Sequence, residues 1–315
     1  MALPFLPTPV RVRVPATSAN LGPGFDALGL ALALYDDVSA FVTSGGCRVE
    51  VQGEGAAQLP TDENHLVVQA MQATFDVLGG RPAGLAVECV NRIPQTRGLG
   101  SSSAAIVAGV LLARGLVVDG PQRLDDAAAL RLAAEIEGHP DNVAPCLLGG
   151  FTIAWTEETG ARAVSLTPAH GVQPTVFVPD ERGLTAAARA VLPATVPHAD
   201  AARNAGRAAL LVHALVSDPA LLFPATEDRL HQDYRAPGMP ASAALVGALR
   251  QAGVPAVISG AGPTVLALAD PPTDFAAGIG WTALRLGIDV VGARVREGTL
   301  GHAGERGPVA AGGKS

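Results

Sequence analysis

The segment Pro94-Gln95-Thr96-Arg97-Gly98-Leu99-Gly100-Ser101-Ser102-Ser103-Ala104-Ala105 constrains this chain more than any other. Two glycines and three consecutive serines run into an apolar stretch, residues 104–116, that reads as a long helix. The first turn of a helix leaves backbone N–H groups unpaired and carries the positive end of the helix dipole. Glycines let the chain bend there and let a ligand come close to the backbone. Serine hydroxyls at such a cap can bond the backbone, a phosphate or a magnesium ion. A phosphate-bearing ligand suits that surface. Taken alone, an ordinary Ser-capped helix after a glycine turn would look the same.

Around this segment the pattern alternates between strand and helix periods. Strands are expected at residues 10–14, where Pro15 ends the run, and at 28–42 as one strand or two. Further strands are expected at 49–51, 85–90 and 151–155, with helices at 66–78 and 126–137. Beyond a change of texture near residue 165, strands are expected at 175–178, 256–258, 265–268 and 289–295. Helices are expected there at 185–191, 200–216, 241–251 and 275–286. The reading is an α+β chain of two domains, 1–165 and 166–297. Residues 298–315, rich in glycine, alanine and charge without apolar period, read as a disordered tail.

Composition removes several function classes. An apolar content of 48% with 16% charged residues describes a globular body. A net charge of −7 with no run of Lys or Arg argues against nucleic acid as a partner. The apolar run after the serines stops at Arg114, too short to span a bilayer. Cys47, Cys89 and Cys146 are far apart and odd in number, as expected for reduced thiols in a cytoplasmic protein, and the N-terminus lacks the basic region of a signal peptide.

Other motifs fall away on context. Gly313-Lys314-Ser315 imitates a P-loop ending, but position 308 is proline and no helix can follow. Gly22 to Ala27 matches G-x-G-x-x-A, yet Pro15 separates it from its strand and a strand-like pattern follows. No serine has glycine two places on either side, so a nucleophile elbow is absent. Three clusters remain beside the serine loop. Asn20 and Asp26 flank a first glycine turn; Glu137-Gly-His139-Pro-Asp141-Asn142 closes a helix; Gly260-Ala-Gly262-Pro263 makes a later turn.

In this combination and order, the motifs resemble the GHMP kinases, the small-molecule kinases named for galactose, homoserine, mevalonate and phosphomevalonate. That family's phosphate loop reads P-x-x-x-G-L-G-S-S-A-A, and this chain carries it from Pro94 to Ala105 with Ser103 where alanine is usual. Ser259-Gly-Ala-Gly-Pro-Thr264 matches the family's C-terminal glycine turn. Within the family the match is closest to the branch acting on L-homoserine. The segments from Pro15 to Asp26, Glu137 to Pro145, Ala188 to Pro193, and Asp228 to His231 running into Tyr234-Arg235 carry that match.

The resemblance implies an N-terminal α/β nucleotide-binding domain and a C-terminal ferredoxin-like domain. It implies transfer of the ATP γ-phosphoryl group to the hydroxyl of L-homoserine, a step in threonine synthesis. It places ATP on Pro94, Gln95, Thr96, Arg97, Gly98, Leu99, Gly100, Ser101, Ser102, Ser103 and Ala104, with Gly260 and Gly262 nearby. Magnesium falls to Ser102 and Glu137, with Glu135 as the alternative to the latter. Asn20, Asp26, His139, Asp141, Arg189 and Arg235 surround homoserine, and Asn20 and Asn142 take catalytic positions. On chemistry, Asp26 and Asp141 suit an ammonium and Arg189 and Arg235 a carboxylate. A homodimer is compatible with all of this.

Overall fold

Alternating valines and arginines place β1 (Val10–Ala19) on the first sheet, with Val10, Val12 and Val14 buried and Arg11 and Arg13 exposed. The structure is a computed structural model that describes residues 3–183 and 185–297. The tail expected at 298–315 lies outside the described residues. Pro15 does not end β1. The register against β2 (Leu28–Thr43) shifts between Pro15 and Ala16, and such an irregularity tolerates a residue without an N–H. The apolar stretch after the first glycine turn is therefore one continuous strand.

Next come β3 (Gly46–Gly53), α1 (Leu66–Leu78), β4 (Gly84–Asn91), α2 (Ser101–Leu116) and the short α3 (Gly120–Arg123). They are followed by α4 (Asp126–Glu137), α5 (Val143–Leu148), β5 (Phe151–Glu157) and β6 (Gly160–Leu166). The sheet runs β1-β2-β4-β3, with β3 parallel to β4, while β5 pairs with the start of β2 and carries β6. Neither α5 nor β6 was expected: one is too short to show a period, and the other buries few residues. Helix α2 is wrapped on most sides, with Ile106, Val107, Val110, Leu111 and Leu112 buried. Each such side chain contributes roughly 1.5–3 kcal/mol relative to exposure, which anchors the glycine-serine loop at its N-terminus.

The second half contains β7 (Thr175–Pro179), α6 (Thr185–Ala190), α7 (His198–Val216), α8 (Leu222–Ala225) and α9 (Gln232–Arg235). It continues with α10 (Pro240–Gln251), β8 (Ala256–Ile258), β9 (Val265–Ala267) and β10 (Trp281–Arg285). Its antiparallel sheet has the order β10-β7-β9-β8, the strand order of a ferredoxin-like domain. The helix expected at 275–286 is not formed. Gly278 and Gly280 sit at φ 90° and 85°, and the following residues pair with β7 as β10. The chain then returns to the first sheet, where β11 (Arg294–Glu297) pairs with β1. That strand begins later than its apolar pattern suggests. Asp289 Oδ1 accepts the N–H groups of Val291 and Gly292, each at 2.7 Å, and turns the chain there. Among the described residues no helix is long and apolar enough to cross a membrane.

Candidate active site

Helix α2 starts at Ser101, three residues before the apolar run that reveals it, so all three serines lie in its first turn. Its N-cap is Gly100, left-handed at φ 69°, and no side chain of the described residues caps the helix. The serine hydroxyls therefore turn elsewhere. Ser102 Oγ and Ser103 Oγ both donate to Glu137 Oε1, at 2.7 and 2.8 Å. Glu137 ends α4, where the dipole disfavours a carboxylate, but its oxygens face the favourable N-terminus of α2. Glu135, the alternative, is exposed and does not line the cleft.

The loop is pressed against the Ser259–Thr264 turn. Ser259 Oγ donates to Gly98 O at 2.6 Å, and a Cβ on Gly98 would lie 2.4 Å from Ser259 O. Asn20 ties the first glycine turn to the same place: its Nδ2 donates to Gly260 O at 2.9 Å, and its Oδ1 accepts the Asp26 N–H at 2.9 Å. Asn20, Leu21, Asp26 and Thr96 all have positive φ. Left-handed non-glycine residues concentrated this way mark a backbone held in shape by its surroundings.

These turns enclose a cleft of about 290 Å³. One end is formed by Gly98, Gly100, Ser101, Ser102 and Glu137; the other by Asp26, His139, Asp141, Arg189 and Arg235. Asn20, Thr96, Arg97, Asn142, Gly260 and Ala261 complete it. Most residues singled out in the sequence thus meet in one place, with several differences. Leu99 and Ser103 are fully buried, Pro94 and Gly262 do not line the cleft, and Gln95 and Ala104 line a cavity that adjoins it. Arg97 donates to the carbonyls of Pro179, Asp180 and Gln95 at 2.8, 2.9 and 3.2 Å, clamping the loop to the end of β7. Asn142 Oδ1 accepts Thr17 Oγ1 at 2.8 Å, which leaves its amide N–H groups for the cleft.

The charged end also differs from a simple division of labour. Asp26 and Arg189 form a two-pronged ion pair with each other, at 2.8 and 2.9 Å. Arg235 is buried; it donates to Ala188 O at 2.9 Å and Gly260 O at 3.3 Å, and its guanidinium lies 5.4 Å from the Phe25 ring centre.

Two family models match the sequence of this chain. The model of the GHMP kinases N terminal domain matches residues 65–150, and that of the GHMP kinases C terminal matches residues 201–278. The chain is 62% identical over 290 residues to the homoserine kinase of Streptomyces coelicolor, covering 91% of this chain and 94% of that protein. It is 52% identical over 297 residues to the homoserine kinase of Clavibacter michiganensis, at 91% and 94% coverage. The crystal structure of homoserine kinase from Cytophaga hutchinsonii superposes with a TM-score of 0.78 at 27% identity, covering 94% of this chain and all of that one. The chain belongs to the GHMP kinase family, in its homoserine kinase branch.

In this kinase a second cavity, about 140 Å³, adjoins the cleft and shares Thr96, Ser101 and Ser102 with it. Val14, Val38, Leu59, Leu66 and Val67 line it, together with His65. His65 caps α1, its Nδ1 accepting the Val67 N–H at 3.3 Å, and its buried Nε2 has no partner among the described residues. This cavity was not foreseen, because its lining comes from four separated segments. A histidine immediately before an apolar helix, where Ser or Asp is usual, is the one local signal.

The oxygen donors at the first end fit a hard cation. Glu137 and the Ser102 hydroxyl converge beside a helix N-terminus, and magnesium is commonly held by one or two carboxylates completed by substrate phosphates. Among the described residues no group of three or more His, Cys, Asp or Glu could hold a metal by itself. The set therefore suits an ion that arrives with a nucleotide.

His139 Nδ1 lies 2.5 Å from Oδ1 of the buried Asp141. This hydrogen bond raises the imidazole pKa above its ordinary 6.5, against the opposing effect of burial. The stabilisation from this pair is fully present below 6.5 and is lost as pH rises through the raised value. An NMR titration of His139 is expected to show a midpoint above 6.5, lowered by Asp141→Asn. A midpoint at or below 6.5 in the unaltered kinase would contradict the pairing.

Proposed function

We propose that this kinase transfers the γ-phosphoryl group of ATP to the side-chain hydroxyl of L-homoserine, giving O-phospho-L-homoserine and ADP, a step of threonine biosynthesis. One observation carries the site assignment. A single cleft joins the glycine-serine N-terminus of α2 to a wall where Asp26 and Asp141 stand beside Arg189 and Arg235. An α-amino acid carries its ammonium and carboxylate on one carbon. Neighbouring acids and guanidiniums are complementary to that zwitterion, whereas an alcohol without an ammonium needs no such acids.

In this reading the triphosphate lies on the backbone amides and hydroxyls of residues 98–102, and the apolar cavity beside them receives the base. His65 Nε2–H then donates to a ring nitrogen. The paired Arg189 and Asp26 turn toward the substrate as it binds, so that Arg189 and Arg235 take the homoserine carboxylate and Asp26 and Asp141 take the ammonium. Asn142 orients the alcohol or a γ-phosphate oxygen without adding charge. The alcohol oxygen forms a bond to the γ-phosphorus as the bond to the β–γ bridging oxygen breaks and ADP leaves. A loose transition state releases the alcohol proton late, so positioning and charge neutralisation matter more than a strong base. Magnesium held by Glu137 and Ser102 would neutralise charge on the β- and γ-phosphates.

The deciding experiment is an ADP-release assay with L-homoserine, with mevalonate as the contrasting acceptor and a control lacking magnesium. Turnover of mevalonate in place of homoserine would overturn the reading. At the charged end, Arg235→Leu is expected to raise the homoserine KM about ten- to a hundredfold, the usual loss for a charge-assisted contact, and to leave the ATP KM nearly unchanged. An unchanged homoserine KM would remove Arg235 from the carboxylate site.

A further inference from the structure

His231 has no place in the chemistry above, yet it is completely buried directly behind the cleft. Its Nε2 lies 2.7 Å from the carbonyl oxygen of Gly22, in the first glycine turn. Its Nδ1 lies 3.2 Å from Arg235 Nη1, one turn further along the chain. A carbonyl can only accept and a guanidinium can only donate. The ring therefore carries its hydrogen on Nε2 and a lone pair on Nδ1, which is the neutral form. Burial also pulls its pKa below the ordinary 6.5, against the attraction of Asp228.

The same ring stacks on Phe25, with centroids 5.2 Å apart and planes inclined by 32°. The guanidiniums of Arg189 and Arg235 lie 5.7 and 5.4 Å from that Phe25 ring centre. Asp228 holds the segment in place, its Oδ2 accepting the N–H groups of His231 and Gln232 at 3.1 and 2.7 Å. Two segments more than 200 residues apart in sequence are thus joined through one imidazole.

We infer that His231 is a positioning residue for the amino-acid end of the site: its neutral ring aligns Arg235 toward the substrate carboxylate and locks that arginine to the Asn20–Asp26 turn. This rests on the homoserine reading above. A guanidinium with Nε on Ala188 O and Nη1 shared between His231 and Gly260 O has one rotamer left, and Nη2 has no partner among the described residues. Preorganisation of that kind lowers the cost of binding and adds no contact of its own.

The test compares His231→Phe, which keeps the ring and the stack, with His231→Gln, which keeps one donor and one acceptor. Each is assayed with L-homoserine and with 3-aminopropanol, which retains the amine and the alcohol but lacks the carboxylate. His231→Phe is expected to raise the homoserine KM about tenfold or more, with the ATP KM within about twofold and little penalty on 3-aminopropanol. His231→Gln is expected to recover the homoserine KM to within about threefold of the unaltered kinase. Equal penalties on both acceptors, or an unchanged homoserine KM in His231→Phe, would overturn the inference. If His231→Phe does not fold, His231→Gln decides: a KM raised more than about tenfold on both acceptors alike would show a merely structural role. Failure of the unaltered kinase to phosphorylate homoserine would instead sink the underlying reading.

Discussion

Glu137→Gln is expected to lower kcat by about two orders of magnitude or more, equivalent to a loss of roughly 3 kcal/mol of transition-state stabilisation. Glutamine has nearly the shape of glutamate, and its amide oxygen can still accept from Ser102 and Ser103, which now bond Oε1 at 2.7 and 2.8 Å. Packing at the end of α4 is preserved. What is lost is the negative charge that Glu137 turns toward the N-terminus of α2, where the triphosphate and its cation are proposed to sit. The magnesium dependence of turnover should weaken in parallel with kcat. Glu135→Gln, altering an exposed carboxylate two residues earlier on the same helix, is the matched control. A large loss in that control, or turnover within about threefold in Glu137→Gln, would move the cation elsewhere.

Gly98→Ala is the second large effect. Gly98 adopts φ 77°, and an added Cβ would meet Ser259 O at 2.4 Å and Gly262 O at 2.9 Å. Both neighbours are backbone atoms, so no side chain can swing aside. A left-handed alanine costs about 1–2 kcal/mol, and overpacking commonly adds about 1–3 more. A fall in stability of about 3 kcal/mol is therefore expected from urea unfolding. The glycine-serine loop, the proposed phosphate site, must also move off the Ser259–Thr264 turn, and the ATP KM should rise by about tenfold or more. Gly79→Ala separates strain from clash. It has φ 103° at the end of α1 with no atom of the described residues within 4 Å of an added Cβ, so it carries the backbone penalty alone. Equal stability losses at the two positions would show that the close approach of the two turns does not matter.

Much of the site was legible because its chemistry is written in contiguous segments. The glycine-serine loop, the Glu137–Asn142 cluster and the Ser259–Thr264 turn each announce a local backbone shape, and local shape depends mainly on neighbouring residues. Elements with several periods, such as α2 and α7, were legible for the same reason. Boundaries were less so. The apolar run marks α2 only from residue 104, because Ser101 to Ser103 favour caps over helix interiors in isolation. The mistaken helix at 275–286 has a physical cause as well. An apolar set near helical spacing was outweighed by two left-handed glycines and by the open edge of β7. Local pattern could not register that edge.

The sequence by itself determined the glycine-serine loop as a candidate phosphate site, the mixed helix and strand content of both halves, and the set of charged residues available to a small zwitterion. Tertiary structure alone decided how those charges are shared. It paired Asp26 with Arg189, directed Glu137 rather than Glu135 to the loop serines, and turned Arg97 onto backbone carbonyls. It also opened an apolar cavity beside the loop and set His231 between Gly22 and Arg235. The reason is range. Turn and helix signals act over a few residues, whereas an ion pair or a buried hydrogen bond depends on where distant segments come to rest. Those positions follow from packing of the whole core and are encoded in no single stretch of chain.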